Sequence, residues 1–243
     1  MGLYREHGVV LRTIKLGEAD RIVTLLTAGR GKVRAVAKGV RKTKSRFGSR
    51  LEPMGHVSLL MYEGRSDLDI VTQAETIEHF KVVREDLDRL TKAHSLLEAA
   101  DQVAQEGHAN ARLYQMLLGA LRALSAHDAP MLVPAFFFKL LAAEGFQPVL
   151  DRCVSCGSDD DRGLVAFDQV EGGVLCAPCA GGGSVRITFE ALSLMRAVLG
   201  GDLASALNTP PGPATADVGR LATRSLEAHI ERRLRSVGVI DHH

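Results

Sequence analysis

The cysteines of this 243-residue chain fall into two pairs with the spacing of a metal site. All four occur in the pattern Cys153-x2-Cys156-x19-Cys176-x2-Cys179. Two cysteines three positions apart on a tight turn can direct both sulfurs at one ion, and the interval between the pairs is typical of four-thiolate zinc sites. The pattern therefore predicts one zinc ion held by Cys153, Cys156, Cys176 and Cys179.

The segment around the cysteines is predicted to be a zinc ribbon. Cys-x-x-Cys pairs also serve redox enzymes of the thioredoxin type, but those use one pair beside a βαβ unit, which this sequence lacks. Between the pairs, segments 164–168 and 173–176 flank a glycine-containing turn, which indicates a hairpin. Since protein side chains fill all four positions, the zinc is expected to be structural, although a ribbon could also contact a partner. Residues 151–185 carry 2 Arg and 6 Asp/Glu, so this segment is a poor surface for DNA.

Basic residues are concentrated near the N-terminus, although the net charge of the chain is only +1. Residues 1–50 contain 13 Lys/Arg and 3 Asp/Glu, whereas residues 51–243 contain 17 and 26. Nine of the basic residues lie between Arg30 and Arg50, with no acid among them. Because like charges this close repel one another, a polyanion such as nucleic acid is the simplest explanation. The alternatives are a solvated basic loop and a patch that docks an acidic protein.

Six of these cations are predicted to contact DNA phosphates: Arg34, Lys38, Arg41, Lys42, Lys44 and Arg46. Residues 32–38 alternate in the manner of a strand, and an offset of four places Arg34 and Lys38 on the same outer face. The other four lie in the loop that follows. Phe47 is the one aromatic residue of that loop, so we expect phosphate contacts to dominate over base readout.

The pattern of apolar residues changes near residue 80 from short β segments to a helical period. Five predicted strands fit an OB-type barrel, and they cover residues 7–14, 21–27, 32–38, 57–62 and 68–77. Apolar residues then recur at intervals of three and four, which predicts helices over 84–105, 111–125, 129–145, 189–199 (capped by Thr188) and 215–237. The predicted fold class is α+β multidomain, an N-terminal OB-fold β-barrel followed by an all-α helical domain with a zinc-ribbon-like insertion. The predicted divisions are 1–80 for the barrel, 81–150 and 183–243 for the helical domain, and 151–182 for the insertion.

Composition and motifs argue against several functional classes. Apolar residues make up 46% and charged residues 24%, which excludes bulk disorder. The longest apolar run, 131–138, is too short for a bilayer, and no signal sequence is recognised, so a cytoplasmic protein without a membrane partner is expected. Gly29-Arg30-Gly31-Lys32 is not a phosphate loop, because Val33 stands where Ser or Thr is needed. Without a hydrolase or metalloprotease motif, no catalytic residue is assigned and a non-enzyme is predicted.

Several blocks of sequence follow one another in an order shared by a bacterial protein family. They are the strand Tyr4–Leu16, GEADRIVT (17–24), GKVRAVAKGVRK (31–42), RLEP (50–53), and FKLLAAEGFQP (138–148) followed by Cys153-Val154-Ser155-Cys156. In these blocks, over nearly its whole length, the chain resembles the RecO family of recombination mediators in bacterial DNA repair. The resemblance implies an N-terminal OB fold, a helical domain and a zinc-binding insertion.

The resemblance also implies partners and an activity. These are binding of single- and double-stranded DNA, strand annealing, partnership with RecR and with the single-strand DNA-binding protein SSB, and loading of a recombinase on SSB-coated DNA in the RecF pathway. Such a protein would be nucleoid-associated when engaged on DNA. The C-terminal tail of SSB is acidic with an apolar tip, and Phe136–Leu141, which includes Lys139, is one candidate pocket for it, although core packing is the expected role of its aromatic residues. The alternative is a zinc-ribbon/OB adaptor or RNA-binding protein that docks an acidic partner.

Overall fold

The chain folds into two compact units, each with its own set of strands and helices. The computed structural model describes residues 2–42, 45, 47–64 and 67–236. The first unit contains the described residues up to Ala126 together with Ser236, and the second is His127–Arg235. The predicted divisions at residues 80, 150 and 182 stay a prediction.

Five strands of the first unit close into a barrel in the order β1-β2-β3-β5-β4. They are β1 (Leu3–Leu16), β2 (Asp20–Thr27), β3 (Gly31–Ala37), β4 (His56–Tyr62) and β5 (Asp69–Glu78). The long β1 pairs with β4 through its first half and with β2 through its second half. A register shift between Val10 and Arg12 bends the strand where it changes partner. Since β3 and β5 pair in parallel and complete the ring, the predicted OB-like barrel is confirmed.

Two residues of the β3–β4 loop help to fill the barrel. Phe47 and Leu51 are each 1% exposed and belong to the same core cluster as Val23, Leu25 and Met61. Burying side chains of this size contributes about 1.5–3 kcal/mol each, so these two residues anchor the loop to the barrel. The one aromatic residue of the basic loop is therefore a core residue.

The turn between β2 and β3 requires a glycine at position 31. Gly31 has a φ of +67°, and a Cβ atom there would lie 1.8 Å from the carbonyl oxygen of His108. Next to it, the amide of Lys32 donates a hydrogen bond to the carbonyl of Gln105 at 3.2 Å. Only glycine combines this backbone conformation with so close an approach, which gives the Gly-Arg-Gly-Lys sequence a structural role.

Three helices complete the first unit: α1 (Lys81–Arg84), α2 (Leu87–Val103) and α3 (Ala111–Ala126). Asp86 caps α2, since its carboxylate accepts a hydrogen bond from the amide of Arg89 at 3.0 Å. Helices α2 and α3 pack on β1, and α3 also packs on β2. The barrel residues Val9 and Leu26 are consequently fully buried although they point away from the barrel interior.

A buried polar cluster connects the barrel to α3. His56 Nδ1 lies 3.1 Å from the Glu78 carboxylate, and His56 Nε2 lies 2.8 Å from the Tyr114 hydroxyl. A hydrogen bond from Arg122 lowers the pKa of Glu78, so this carboxylate is ionised and can only accept. A neutral His56 ring, donating from Nδ1 and accepting at Nε2, satisfies both neighbours. Burial of the ring lowers the pKa of His56 below 6.5, and the nearby positive charges of Arg122 and His7 lower it further. The attraction of Glu78 raises this pKa but does not offset the burial.

Lowering the pH from 7.5 to 5.5 is expected to destabilise the first unit through His56. The unfolded chain takes up the proton near pH 6.5, whereas the folded chain does so only at lower pH. The contribution of neutral His56 to the free energy of unfolding is therefore fully present above about pH 6.5 and is lost as the pH falls towards the pKa of the folded state. For one proton, the loss is at most about 1.4 kcal/mol per pH unit. Urea unfolding of the chain and of His56→Gln at both pH values measures this. An equal pH dependence in the two proteins would contradict the prediction.

The second unit is a helical body with a small sheet inserted between its helices. Its helices are α4 (Leu132–Ala143), α5 (Phe189–Gly200), α6 (Leu203–Leu207) and α7 (Pro213–His229). Strands β6 (Leu164–Asp168), β7 (Gly173–Cys176) and β8 (Val185–Arg186) form a sheet in the order β7-β6-β8. The predicted cap of α5 is confirmed, since the hydroxyl of Thr188 accepts a hydrogen bond from the amide of Ala191 at 3.1 Å.

One sequence prediction in the second unit is wrong, and one candidate site is buried. The last helix ends at His229 rather than at residue 237, because Glu231 has a φ of +51°. The candidate tail-binding pocket at Phe136–Leu141 is not a surface pocket: all of it lies in α4, and its residues other than Lys139 are at most 5% exposed, as the expected core packing of its aromatic residues requires. A helix that is apolar all round is buried on all sides, and these side chains form the core of the second unit.

Candidate metal centre and nucleic-acid interface

The four predicted zinc ligands converge on one point of the second unit. The sulfur atoms of Cys153, Cys156, Cys176 and Cys179 all lie within 4.8 Å of one another, and no disulfide joins them. The Sγ atoms of Cys156 and Cys176 are 3.6 Å apart, whereas tetrahedral Zn–S bonds of about 2.3 Å would place two sulfurs about 3.8 Å apart. This arrangement could hold a metal ion, and its all-thiolate donor set is the one typical of structural zinc.

Two turns and a close backbone approach position the cysteines. Each pair lies on a turn, in which the amide of Gly157 donates to the carbonyl of Cys153 and the amide of Cys179 donates to that of Cys176. Residues 149–154 run along β7, and a Cβ atom on Gly173 would lie 2.3 Å from the Val154 side chain. Glycine at this position therefore allows the first pair of cysteines to reach the second.

An arginine of α5 holds the inserted module in place. The Arg196 guanidinium donates from Nε and Nη2 to the carbonyl of Leu150 at 2.9 and 2.6 Å, and from Nη2 to Asp161 at 2.8 Å. Charge-assisted hydrogen bonds of this kind are stronger than neutral ones. Arg196 therefore ties the segments on both sides of the first cysteine pair to the helical body.

Cys153 and Cys176 differ in how readily they ionise. Burial disfavours a thiolate at Cys153, but backbone N–H groups of Cys176 and Cys156 outweigh it and lower the pKa of Cys153 to about 6. The Cys179 N–H favours a thiolate at Cys176, but burial and the three neighbouring thiols raise the pKa of Cys176 to about 12. A thiolate therefore forms readily at Cys153, whereas a thiolate at Cys176 needs a nearby cation that stabilises its charge. A bound dication provides that charge.

Three cations of the basic segment face carboxylates of the first unit. Arg30 lies 3.5 Å from Glu63 and Arg34 lies 3.8 Å from Glu106. The Lys32 ammonium donates to the Asp101 carbonyl at 2.6 Å and lies 3.4 Å from its carboxylate. All of these residues except Asp101 line a groove of about 460 Å³ at the edge of the barrel, in which both signs of charge occur. A phosphate that binds Arg34 must therefore compete with Glu106.

The predicted cations Lys38, Arg41 and Lys42 lie together at the end of β3, where the β3–β4 loop begins. All three are exposed. Arg41 is fixed in place, since its guanidinium donates to the carbonyl of Glu18 at 2.9 Å and its amide to that of Ala19 at 3.0 Å. We call Lys38, Arg41 and Lys42 the cationic end of the barrel. No carboxylate within the described part of the chain forms an ion pair with them.

The structure thus separates the six predicted DNA contacts into three groups. Lys38, Arg41 and Lys42 form the cationic end, whereas Arg34 lies further along β3 beside Glu106. Lys44 and Arg46 lie outside the described residues. Glu63 and Glu106 were not identified from the sequence as partners of the basic segment. Both lie far along the chain from the arginines that they face, so no local pattern indicates the pairing.

The barrel, the helical unit and the four-cysteine cluster together define an α+β protein of the OB-barrel class with a metal-binding insertion. Within the described ranges, no helix is long and apolar enough to cross a membrane. Residues 1–80 match the family model described as Recombination protein O N terminal, and residues 84–237 match the one described as Recombination protein O C terminal. The chain belongs to the RecO family.

Several relatives are similar over their full length. Proteins named DNA repair protein RecO from a Nocardioides species, Frankia casuarinae and Thermobifida fusca are 43%, 42% and 41% identical to this chain. The alignments cover 98%, 99% and 99% of the chain and 99% of each relative. The family expected from the sequence blocks is confirmed.

Proposed function

We propose that this chain is a DNA-binding recombination mediator in DNA repair, without catalytic activity of its own. It binds single- and double-stranded DNA, anneals complementary single strands, and helps to load a recombinase on DNA coated by SSB, with RecR as a further partner. Support comes from the family name carried by its relatives, DNA repair protein RecO. Within the chain, the observation that carries the proposal is the cationic end of the barrel.

The cationic end is suited to phosphates for two reasons. Its cations form no ion pair with a carboxylate among the described residues, and Arg41 is already held by backbone carbonyls. A cation that is fixed before binding loses less conformational freedom when a phosphate arrives. It also lies beside the β2–β3 face, the face with which OB folds bind oligonucleotides.

Contacts with phosphates explain how a protein without an active site could promote annealing. Phosphate contacts hold the backbone and carry no sequence information, so the base edges stay free to pair. Neutralising the phosphates of two strands reduces the repulsion that keeps them apart. The barrel would act on both strands through the same set of cations.

In this proposal the four cysteines hold one structural zinc ion. The four ligands Cys153, Cys156, Cys176 and Cys179 would complete the tetrahedral coordination of the zinc and leave no open position for water or substrate. The module around them carries a net charge of −4 before the metal is counted, which disfavours contact with DNA. The zinc would therefore stabilise the second unit while the barrel binds DNA.

The affinity for single-stranded DNA is expected to fall with salt at a slope of about −3.5 in log affinity against log salt concentration. This value follows if Lys38, Arg41, Lys42, Lys44 and Arg46 each contact one phosphate, at about 0.7 counterions released per contact. Fluorescence anisotropy with a labelled 30-mer at several KCl concentrations measures the slope. A slope near zero would show that the basic segment does not face DNA. Tighter binding to structured RNA or to an acidic protein than to DNA would favour the adaptor function instead.

A further inference from the structure

An unbroken row of apolar side chains runs around the outside of the barrel at one level. The strand register places each member directly beside the next, in the order Ile14, Ile22, Val36, Ile70, Tyr62 and Leu3. Registered neighbours point to the same side of a sheet, and the adjacent level, Val23 and Ala35, points into the core. We call these six residues the outer apolar row.

The row is open to solvent. Ile14 is 48% exposed and Leu3 is 63% exposed, while Ile22 and Val36 are half-buried. The helices of the first unit cover a different level of the barrel, that of Val9 and Leu26. Exposed aliphatic side chains are common singly, but an aligned set across all five strands is a surface that favours an apolar partner.

Cations flank the part of the row that crosses β1, β2 and β3. On one side, Arg12 and Arg34 lie two positions from Ile14 and Val36, paired with Asp101 and Glu106 respectively. On the other side, Lys38 lies two positions beyond Val36. A separation of two residues along a strand is about 6.8 Å, with side chains on the same face. The cationic end of the barrel therefore borders the row.

This combination fits a single strand of nucleic acid better than a protein surface. The row is one residue wide, whereas a stable protein interface needs about 800 Å² on each partner with an apolar centre. A single strand presents a line of apolar base faces beside a line of phosphates. Its phosphates match Lys38, Arg41 and Lys42, and its base faces match the neighbouring aliphatic side chains.

We infer that Ile14, Ile22 and Val36 form a platform for the faces of single-strand bases whose phosphates bind the cationic end of the barrel. This inference rests on the proposed DNA-binding function and adds a base contact to it. Aliphatic groups cannot hydrogen-bond with base edges, so the contact is indifferent to sequence. The edges remain available to a complementary strand, and the platform is compatible with annealing.

The platform predicts a preference for strands that carry bases. The chain is expected to bind a dT30 oligonucleotide about 10-fold more tightly than a 30-unit abasic deoxyribose-phosphate strand of equal charge, because only dT30 has bases that can pack on the platform. The preference is smaller than on aromatic side chains, which stack bases more strongly. The variant Ile14→Thr/Ile22→Thr/Val36→Thr should bind the two strands within about 2-fold of each other and keep the same salt slope. Threonine is favourable in strands, and an unchanged urea unfolding midpoint verifies the fold.

The control variant is Ile77→Thr, which changes an exposed isoleucine of β5 outside the row and should keep the preference. Equal affinity of the unmodified chain for dT30 and the abasic strand would overturn the inference and requires no variant. Full retention of the preference in the triple variant would overturn it as well. Failure of the proposed function gives a different result, since neither strand would then bind with a salt-dependent affinity.

Discussion

Replacing Lys42, Lys44 and Arg46 together with alanine is expected to weaken binding to single-stranded DNA about 100-fold at 0.1 M salt and to abolish annealing. Three lost phosphate contacts remove about 2 units from the salt slope, which corresponds to that loss of affinity. The loss should be similar for all base sequences, because phosphate contacts carry no sequence information. The fold is expected to persist, and an unchanged thermal unfolding temperature of the triple variant checks this. Anisotropy at several salt concentrations and an annealing assay measure the two effects.

The matched control removes cations from the other unit. Arg220 and Arg224 lie on α7 of the second unit, and Arg220→Ala/Arg224→Ala should leave the DNA affinity within about twofold. An equal loss in this control, or normal annealing by the triple variant, would show that the DNA path lies elsewhere.

The purified chain is expected to contain one zinc ion, and Cys176→Ser is expected to lose it together with much of the stability of the second unit. Structural zinc in small modules supplies apparent folding energies of about 10 kcal/mol or more. Because the cysteine module is acidic and lies outside the barrel, the variant should keep its affinity for a short single strand within about threefold. Metal analysis, thermal unfolding and anisotropy on the same preparations test the three parts.

Ser155→Ala is the control for the metal site, since it changes a residue between two ligands but keeps its backbone N–H group. It should retain zinc and unfold at the temperature of the unmodified chain. Absence of zinc from anaerobically prepared chain would contradict the assignment. A Cys176→Ser protein as stable as the unmodified chain would contradict the structural role.

Local patterns were sufficient for the barrel and for the metal centre. The alternation of residues 32–38 and the glycine-containing turns predict strands because side chains alternate faces along a strand. The spacing within each cysteine pair predicts that its two sulfurs lie on one turn, and two such pairs at this interval are typical of one shared metal site. These signals come from residues that are close along the chain.

Features that depend on distant residues could not be predicted. Nothing near Arg34 in the sequence indicates that Glu106 lies 3.8 Å away, so its competition with phosphate becomes visible only in the fold. The outer apolar row depends on strand register, and a shift of one residue would turn Ile22 inward. Phe136–Leu141 has the composition of an apolar pocket, but its all-round apolar pattern places it in a helical core.

In the proposed function, the barrel and the cysteine module have different roles because their charges are opposite. Residues 1–50 carry a net charge of +10 and the cysteine module carries −4. A polyanion is attracted to the first and repelled by the second over about a Debye length of 8–10 Å at physiological salt. This asymmetry would direct DNA to the barrel rather than to the cysteine module.

The most direct test is the annealing of complementary strands coated with SSB. The chain is expected to anneal SSB-coated 60-mers well above the rate of the spontaneous reaction, with a rate that falls steeply as salt is raised. The Lys42→Ala/Lys44→Ala/Arg46→Ala variant should give only the spontaneous rate. A chain that binds SSB-coated DNA but leaves the annealing rate unchanged would contradict the proposed function and favour an adaptor.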